Sequence, residues 1–162
     1  MSDQQRTERA HTVARFMVES GRTVGVAESL TGGRISATLA AAPEAGTWYR
    51  GGIVAYAEEV KRSLLSIPDC PVVSKACAQY LAANAARLLG ADYSVAVTGE
   101  AGPQSQEDAK PGTVWLAVTG PEGNEAILAN FDGEPEEIVD RTIDAALELL
   151  LDYVQASTPA RK

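Results

Sequence analysis

The chain has 162 residues, 45% of them apolar and 22% charged, and its 22 acidic against 14 basic side chains give a net charge of −8. This suits one globular domain with its own core, and the acidic balance argues against nucleic acid or an anionic membrane as the main partner. Cys70, Cys77 and the single histidine, His11, form no zinc pattern. Two thiols, a polar start from Met1 to Thr7 and no apolar run near the ~20 residues of a membrane span together point to a cytoplasmic protein without a structural metal or cofactor.

Arg6 to Glu19 carries Ala10, Val13, Ala14, Phe16 and Met17 at helical spacing, with Gly21 as a stop. Thr23 to Ala27 reads as a short buried strand. Glu28 to Thr31 reads as a turn, and Gly32 to Ala42 as a helix ended by Pro43. Trp48 to Tyr56 is a second strand, which Gly51 and Gly52 weaken or bulge. Glu58 to Ser66 is a short helix and Pro68 to Val73 a loop. Ser74 then caps an alanine-rich helix that stops at Gly90.

Tyr93 to Thr98 is a third strand, and Gly99 to Gly112 a long loop of the kind that is usually functional or mobile. Thr113 to Thr119 and Glu125 to Phe131 form a hairpin around Pro121-Glu122-Gly123-Asn124. Glu136 to Val154 is an amphipathic helix, followed by a tail, 155–162, expected to be disordered. Strands alternate with helices before the hairpin. The expected fold is therefore α/β: a single-domain, three-layer α/β/α sandwich on a mixed sheet, with its core between about residues 6 and 154.

Ser29 sits where a buried strand turns into a helix that opens on Thr31-Gly32-Gly33. Backbone N–H groups of a helix's first turn can stabilise an oxyanion there, and glycines admit a ligand close to the main chain. A plain N-cap role for Ser29 or Thr31 fits the same local sequence. An acyl-transfer serine needs a base. His11 lies in the polar first helix, which leaves lysine, and Lys61 follows Tyr56 by five residues on the helix after a strand. A lysine base must be neutral, a state that burial favours; a solvated lysine beside Glu58 and Glu59 is the alternative. Thr98-Gly99-Glu100-Ala101-Gly102-Pro103 is a second strand-end loop able to present N–H groups to a ligand.

From Arg6 to Val154 these segments resemble the CinA C-terminal-domain family. The matching pieces are Val26-Ala27-Glu28-Ser29-Leu30-Thr31-Gly32-Gly33, Gly51 to Tyr56 with Lys61, Ala91 to Gly99 with Ala101-Gly102-Pro103, and Lys110-Pro111 with Gly112 to Trp115. The resemblance implies a metal-independent amidohydrolase that deamidates nicotinamide mononucleotide to nicotinate mononucleotide and ammonia, and that forms a homo-oligomer. Ser29 would be the nucleophile, Lys61 its base and Tyr56 an assisting group. Glu28, Thr31, Gly32, Gly33, Thr98, Gly99 and Gly102 would bind the substrate.

Several positions depart from that family's usual pattern. Leu30 stands for a cysteine, Glu58 for an asparagine and Glu100 for an apolar residue. Gln104-Ser105 replaces a glycine pair, and Lys110-Pro111-Gly112 is a shortened run. After Phe131-Asp132-Gly133 the family usually shows two arginines, where this chain has Glu134-Pro135 and Val139, with Arg141 nearby but out of register. The chemistry at Ser29 is thus retained while the segment suited to a phosphate is altered. Three functions remain open: the nucleotide amidase, an amidase with the same residues on a different, unphosphorylated amide, and a non-catalytic ligand-binding or regulatory module.

Overall fold

The computed structural model describes residues 1–103 and 109–157, so Gln104-Ser105 and the end of the expected tail lie outside the described residues. In chain order the elements are α1 (Asp3–Ser20), β1 (Val24–Glu28), α2 (Arg34–Ala40), α3 (Ala45–Trp48), β2 (Tyr49–Val54), α4 (Glu58–Leu65), α5 (Lys75–Leu89), β3 (Tyr93–Gly99), β4 (Thr113–Gly120), β5 (Gly123–Asn130) and α6 (Pro135–Ser157). The strands form one mixed sheet in the order β2-β1-β3-β4-β5. β1 runs parallel to both neighbours, and β3, β4 and β5 are antiparallel in turn. This is the α/β sandwich expected from the alternation of elements.

Strand residues alternate between the two faces. Val24, Val26, Val95, Val97, Val114, Leu116 and Val118 join a core with α1, α2 and α6. Ala27, Ala96 and Ala117 face the other way, onto α5 and the end of α4. Among the described residues, no helix is long and apolar enough to cross a membrane.

The differences from the expected boundaries have local causes. α1 begins at Asp3 rather than Arg6, because Ser2 and Gln5 form a reciprocal capping box that carries a polar first turn. α2 starts two residues late, because Gly32 and Gly33 take positive φ to turn the chain out of β1. α3 is a single turn, too short to show a period. β2 carries a register shift opposite Val24/Gly25, beside Gly51. The hairpin turn is tighter than expected: Gly120 pairs with Gly123, leaving only Pro121 and Glu122 between the strands. α6 starts on Pro135, which lacks only an N–H that a helix's first turn leaves unpaired anyway, and it runs to Ser157, three residues into the expected tail.

The connection leaving β1 leads to β2 on one side, and the chain after β2 returns through α4 and α5 to β3 on the other side. Loops that depart in opposite directions leave a crevice at the carboxyl ends of β1 and β3. That switch point is where open α/β sheets bind ligands.

Candidate active site

A cleft of about 500 Å³ occupies that position. Ser29 reaches it from the end of β1, and Thr98 and Gly99 from the end of β3. Tyr56 and Lys61 come from the β2–α4 connection and α4, and Glu100 and Gly102 from the long loop. Segments far apart in sequence therefore meet at one site.

Ser29 is 5% exposed and Lys61 only 4%, so both groups are largely withdrawn from water. Lys61 belongs to the buried stripe of α4 together with Leu65, one turn later. It does not project into solvent with Glu58 and Glu59. Its Nζ donates to the Tyr56 carbonyl oxygen at 2.8 Å, which folds the side chain back over the start of its own helix. Ser29 Oγ makes no hydrogen bond to it among the described residues. Tyr56 contributes that carbonyl, while its side chain is 70% exposed at the rim.

Glu28, Thr31, Gly32 and Gly33 do not line the cleft. Glu28 is buried, and both of its carboxylate oxygens are engaged: Oε1 accepts from Thr31 Oγ1 at 2.7 Å and Ile35 N at 2.9 Å, and Oε2 from Ser36 N at 2.9 Å. The carboxylate thus caps α2 from behind, a favourable place for negative charge at a helix N-terminus. This narrows which amides near the serine are free to donate. The first free amides of α2 are spent on Glu28, and the Arg34 and Gly32 amides donate to Thr31 O and Ser29 O. In the turn after the serine, the Leu30, Thr31 and Gly33 amides are left without a protein acceptor among the described residues.

The other wall is built by hydrogen bonds across loops. Thr98 is buried, and its hydroxyl donates to Val72 O at 2.6 Å, tying the end of β3 to the loop before α5. Val72 and Val73 line the cleft as a result, a contribution the sequence did not reveal. The available signal was an apolar pair directly before the Ser74 N-cap, which must pack against something. Glu100 N donates to Thr113 O at 3.0 Å, and Gly112 N donates to Glu100 O at 2.6 Å. The base of the long loop is therefore clamped. Gly112 is obligatory there, since a Cβ at its φ of +90° would sit 1.9 Å from Phe131 O.

Among the described residues, Lys61 is the only cation in the lining, against the carboxylates of Glu58 and Glu100. The arginines that were candidates for a phosphate are placed elsewhere. Arg34 Nη2 pairs with Asp140 at 2.7 Å, Arg50 Nε donates to Leu89 O, and Arg141 is exposed on α6. Glu134 and Pro135, which stand where an arginine was expected, form the start of α6. No group of three or more His, Cys, Asp or Glu side chains is placed to hold a metal ion among the described residues.

Comparison with known proteins places this geometry in context. The model of the CinA C-terminal domain matches residues 6–154. A putative competence-damage inducible protein of Desulforamulus reducens is 36% identical over 148 residues, covering 88% of this chain and 36% of that protein. A CinA-like protein of Frankia casuarinae is 38% identical over 143 residues, covering 85% of this chain and 33% of its own length. The chain thus spans about a third of the curated relatives it matches. Among solved structures, a CinA superfamily protein from Klebsiella pneumoniae superimposes with a TM-score of 0.87 at 32% identity, covering 93% of this chain and 98% of the other. One from Escherichia coli gives 0.88 at 28% identity over 93% and 92%. The chain belongs to the CinA C-terminal domain family.

Proposed function

We propose that this protein is an amidohydrolase that cleaves the carboxamide of nicotinamide mononucleotide, with Ser29 as nucleophile and Lys61 as base. The observation that carries the proposal is the burial of Ser29 and Lys61 in one cleft at the switch point of the sheet. The chemistry needs Lys61 as the amine, the form able to accept a proton from the serine.

The reaction follows from those groups. Lys61 Nζ exchanges the Tyr56 carbonyl for Ser29 Oγ and takes its proton as Oγ bonds to the amide carbon. The carbonyl becomes an oxyanion, for which the Leu30 and Thr31 amides are the donors at hand. The carbon–nitrogen bond then breaks, the proton held by Lys61 passes to the leaving nitrogen, and ammonia departs. The acyl-serine ester is cleaved when Lys61 takes a proton from water, whose oxygen attacks the same carbon. The carbon–Oγ bond breaks, the proton on Lys61 returns to Ser29 Oγ to restore the free serine and the amine, and the carboxylic acid released loses its own proton to solvent. Tyr56, Thr98, Gly99 and Gly102 would shape the substrate's seat, while Glu28, Thr31, Gly32 and Gly33 would act through the backbone of the serine turn.

One observation favours a second reading with the same chemistry. With Lys61 as the only described cation in the lining and with Glu134-Pro135 at the start of α6, the cleft is poorly provided for a phosphate. An unphosphorylated carboxamide would suit it better. Ammonia release from nicotinamide mononucleotide by the purified protein, beside Ser29→Ala and Lys61→Ala, tests the first reading. Turnover by the wild type alone is expected, and a wild-type rate no better than Ser29→Ala would sink it. The same assay on the riboside and on simple amides decides the second.

A further inference from the structure

The segment 66–74 between α4 and α5 has no regular structure, and Pro68 and Pro71 within it lack an N–H. It nonetheless supplies Val72 and Val73 to the wall of the cleft. Side chains must hold such a segment where no strand or helix ladder does. Its far half is tied by hydroxyls: Ser74 Oγ donates to Pro71 O at 2.6 Å, and Thr98 Oγ1 to Val72 O at 2.6 Å. Its near half is tied by Arg62, whose Nη1 donates to Pro68 O at 2.7 Å and Nη2 to Cys70 O at 2.9 Å. The same guanidinium grips the Glu58 carboxylate, with Nε 3.1 Å and Nη2 2.8 Å from Oε1. Glu58 and Val73 each line both the cleft and the groove beside it, so they form a partition between the two. Arg62 lines the groove and holds the partition from that side.

We propose that Arg62 is a positioning residue for the cleft: it braces the Glu58–Val73 partition from behind and so fixes the width of the substrate's seat without touching the substrate. The identity of that substrate rests on the amidase reading, but the brace does not. A planar guanidinium presents its donors as a rigid fork, and here the fork meets three acceptors in different directions at once. A lysine ammonium carries the same charge as a single point and cannot span them. α4 itself has separate attachments, because Leu65 is fully buried and its carbonyl accepts from Asn84 Nδ2 at 2.6 Å. Loss of Arg62 is therefore expected to release the partition while Ser29 and Lys61 keep their places.

The test compares the full wild-type chain with Arg62→Lys, Arg62→Ala and, as a control, Arg9→Ala, which removes an arginine–glutamate pair between α1 and α6. The first readout is the methyl NMR signals of Val72 and Val73, which need no substrate. Both Arg62 variants should displace these signals, and Arg9→Ala should leave them in place. The second readout is ammonia release from nicotinamide mononucleotide. KM should rise about three- to tenfold in both Arg62 variants, with kcat within about twofold of wild type. A purely structural loss would instead reduce the folded fraction, and so kcat, at unchanged KM. Arg62→Lys separates the fork from its charge, and it keeps the test alive if Arg62→Ala folds poorly. Unmoved methyl signals, an unchanged KM where turnover is seen, or a lysine variant that behaves as wild type would each overturn the proposal. If the wild type releases no ammonia, the amidase reading falls and the methyl signals alone decide for or against the brace. If it releases ammonia and neither readout moves, the amidase reading stands and the brace falls.

Discussion

The two faces of the sheet are packed in opposite ways. On one face, α1, α2 and α6 meet the strands through large side chains: Met17, Ile35, Leu39, Trp48, Leu116, Ile143, Leu147 and Leu150 are all buried. On the other, α5 lies on the sheet through Ala78, Ala82 and Ala85, opposite Ala27, Ala96 and Ala117. The first face is held by volume and the second by close approach. The candidate site joins them, because Ser29 and the Glu28 cap belong with α2 on the first side, whereas Lys61 extends from α4 on the second. The serine–lysine geometry therefore depends on both layers keeping their distance from the sheet.

The largest effect on stability is expected where volume does the holding. Leu147→Ala removes a fully buried side chain of α6 and should cost about 2–5 kcal/mol, since the surrounding large residues cannot close the void. Equilibrium denaturation reads this directly. A loss below about 1 kcal/mol would mean that this face collapses more easily than its packing implies.

Glu28 comes next, because it ties the first face to the serine turn. Glu28→Ala leaves the Ile35 and Ser36 amides and the Thr31 hydroxyl without their acceptor, at an expected cost of about 2–3 kcal/mol. Glu28→Gln keeps one acceptor oxygen and should cost less. If Glu28 acts only through the backbone, turnover of whatever amide proves to be the substrate should fall through kcat, with KM little changed. A rise in KM alone would place the carboxylate on the substrate after all.

How much of this was legible in the sequence follows the same division. The strands' apolar runs and their glycine and proline punctuation located the sheet, and the Ser74 and Gly90 caps bounded α5, because those signals act within a few residues. Ser29 was legible as a serine just past the end of a strand, and Lys61 as a lysine on the helix that follows one. What Glu28 does was not, since its partners lie on the far side of a turn whose shape depends on Gly32 and Gly33. Val72 and Val73 were missed for a similar reason. Their place in the wall comes from the Thr98 hydroxyl, 26 residues away in the chain. Lys61 was half legible: Glu58 and Glu59 suggest solvent, but its four-residue spacing to Leu65 marks the buried stripe of α4.

On the alanine face the sign of the experiment reverses, and enlarging a side chain becomes the damaging change. Ala82 is fully buried on α5. Ala82→Leu should cost about 1–3 kcal/mol by pushing the helix off the strands. Because α4 packs against α5, the shift should also disturb Lys61 and lower turnover more than Leu147→Ala does at equal stability. A tolerated leucine would show room between helix and sheet and would break the contrast between the faces.

The smallest and most local probe is the pair of thiols, both free. Cys77 is fully buried against the alanine face, and burial, reinforced by nearby Cys70, pushes its thiol up to about 11. At pH 8 about one Cys77 in a thousand would be thiolate, and that fraction has no open path to a reagent. Cys70 is partly exposed at the edge of the neighbouring groove. Titration with an aromatic disulfide at pH 8 should therefore show one prompt thiol in the folded protein and a second only on denaturation. The slow phase reports how often α5 lifts from the sheet, since reagent and hydroxide both need that opening. Leu147→Ala should accelerate it only in proportion to the global stability lost. Ala82→Leu should accelerate it further, because it loosens the very contact that covers Cys77. Equal acceleration by the two variants would mean that the faces open together and that the alanine layer has no separate hold on the sheet.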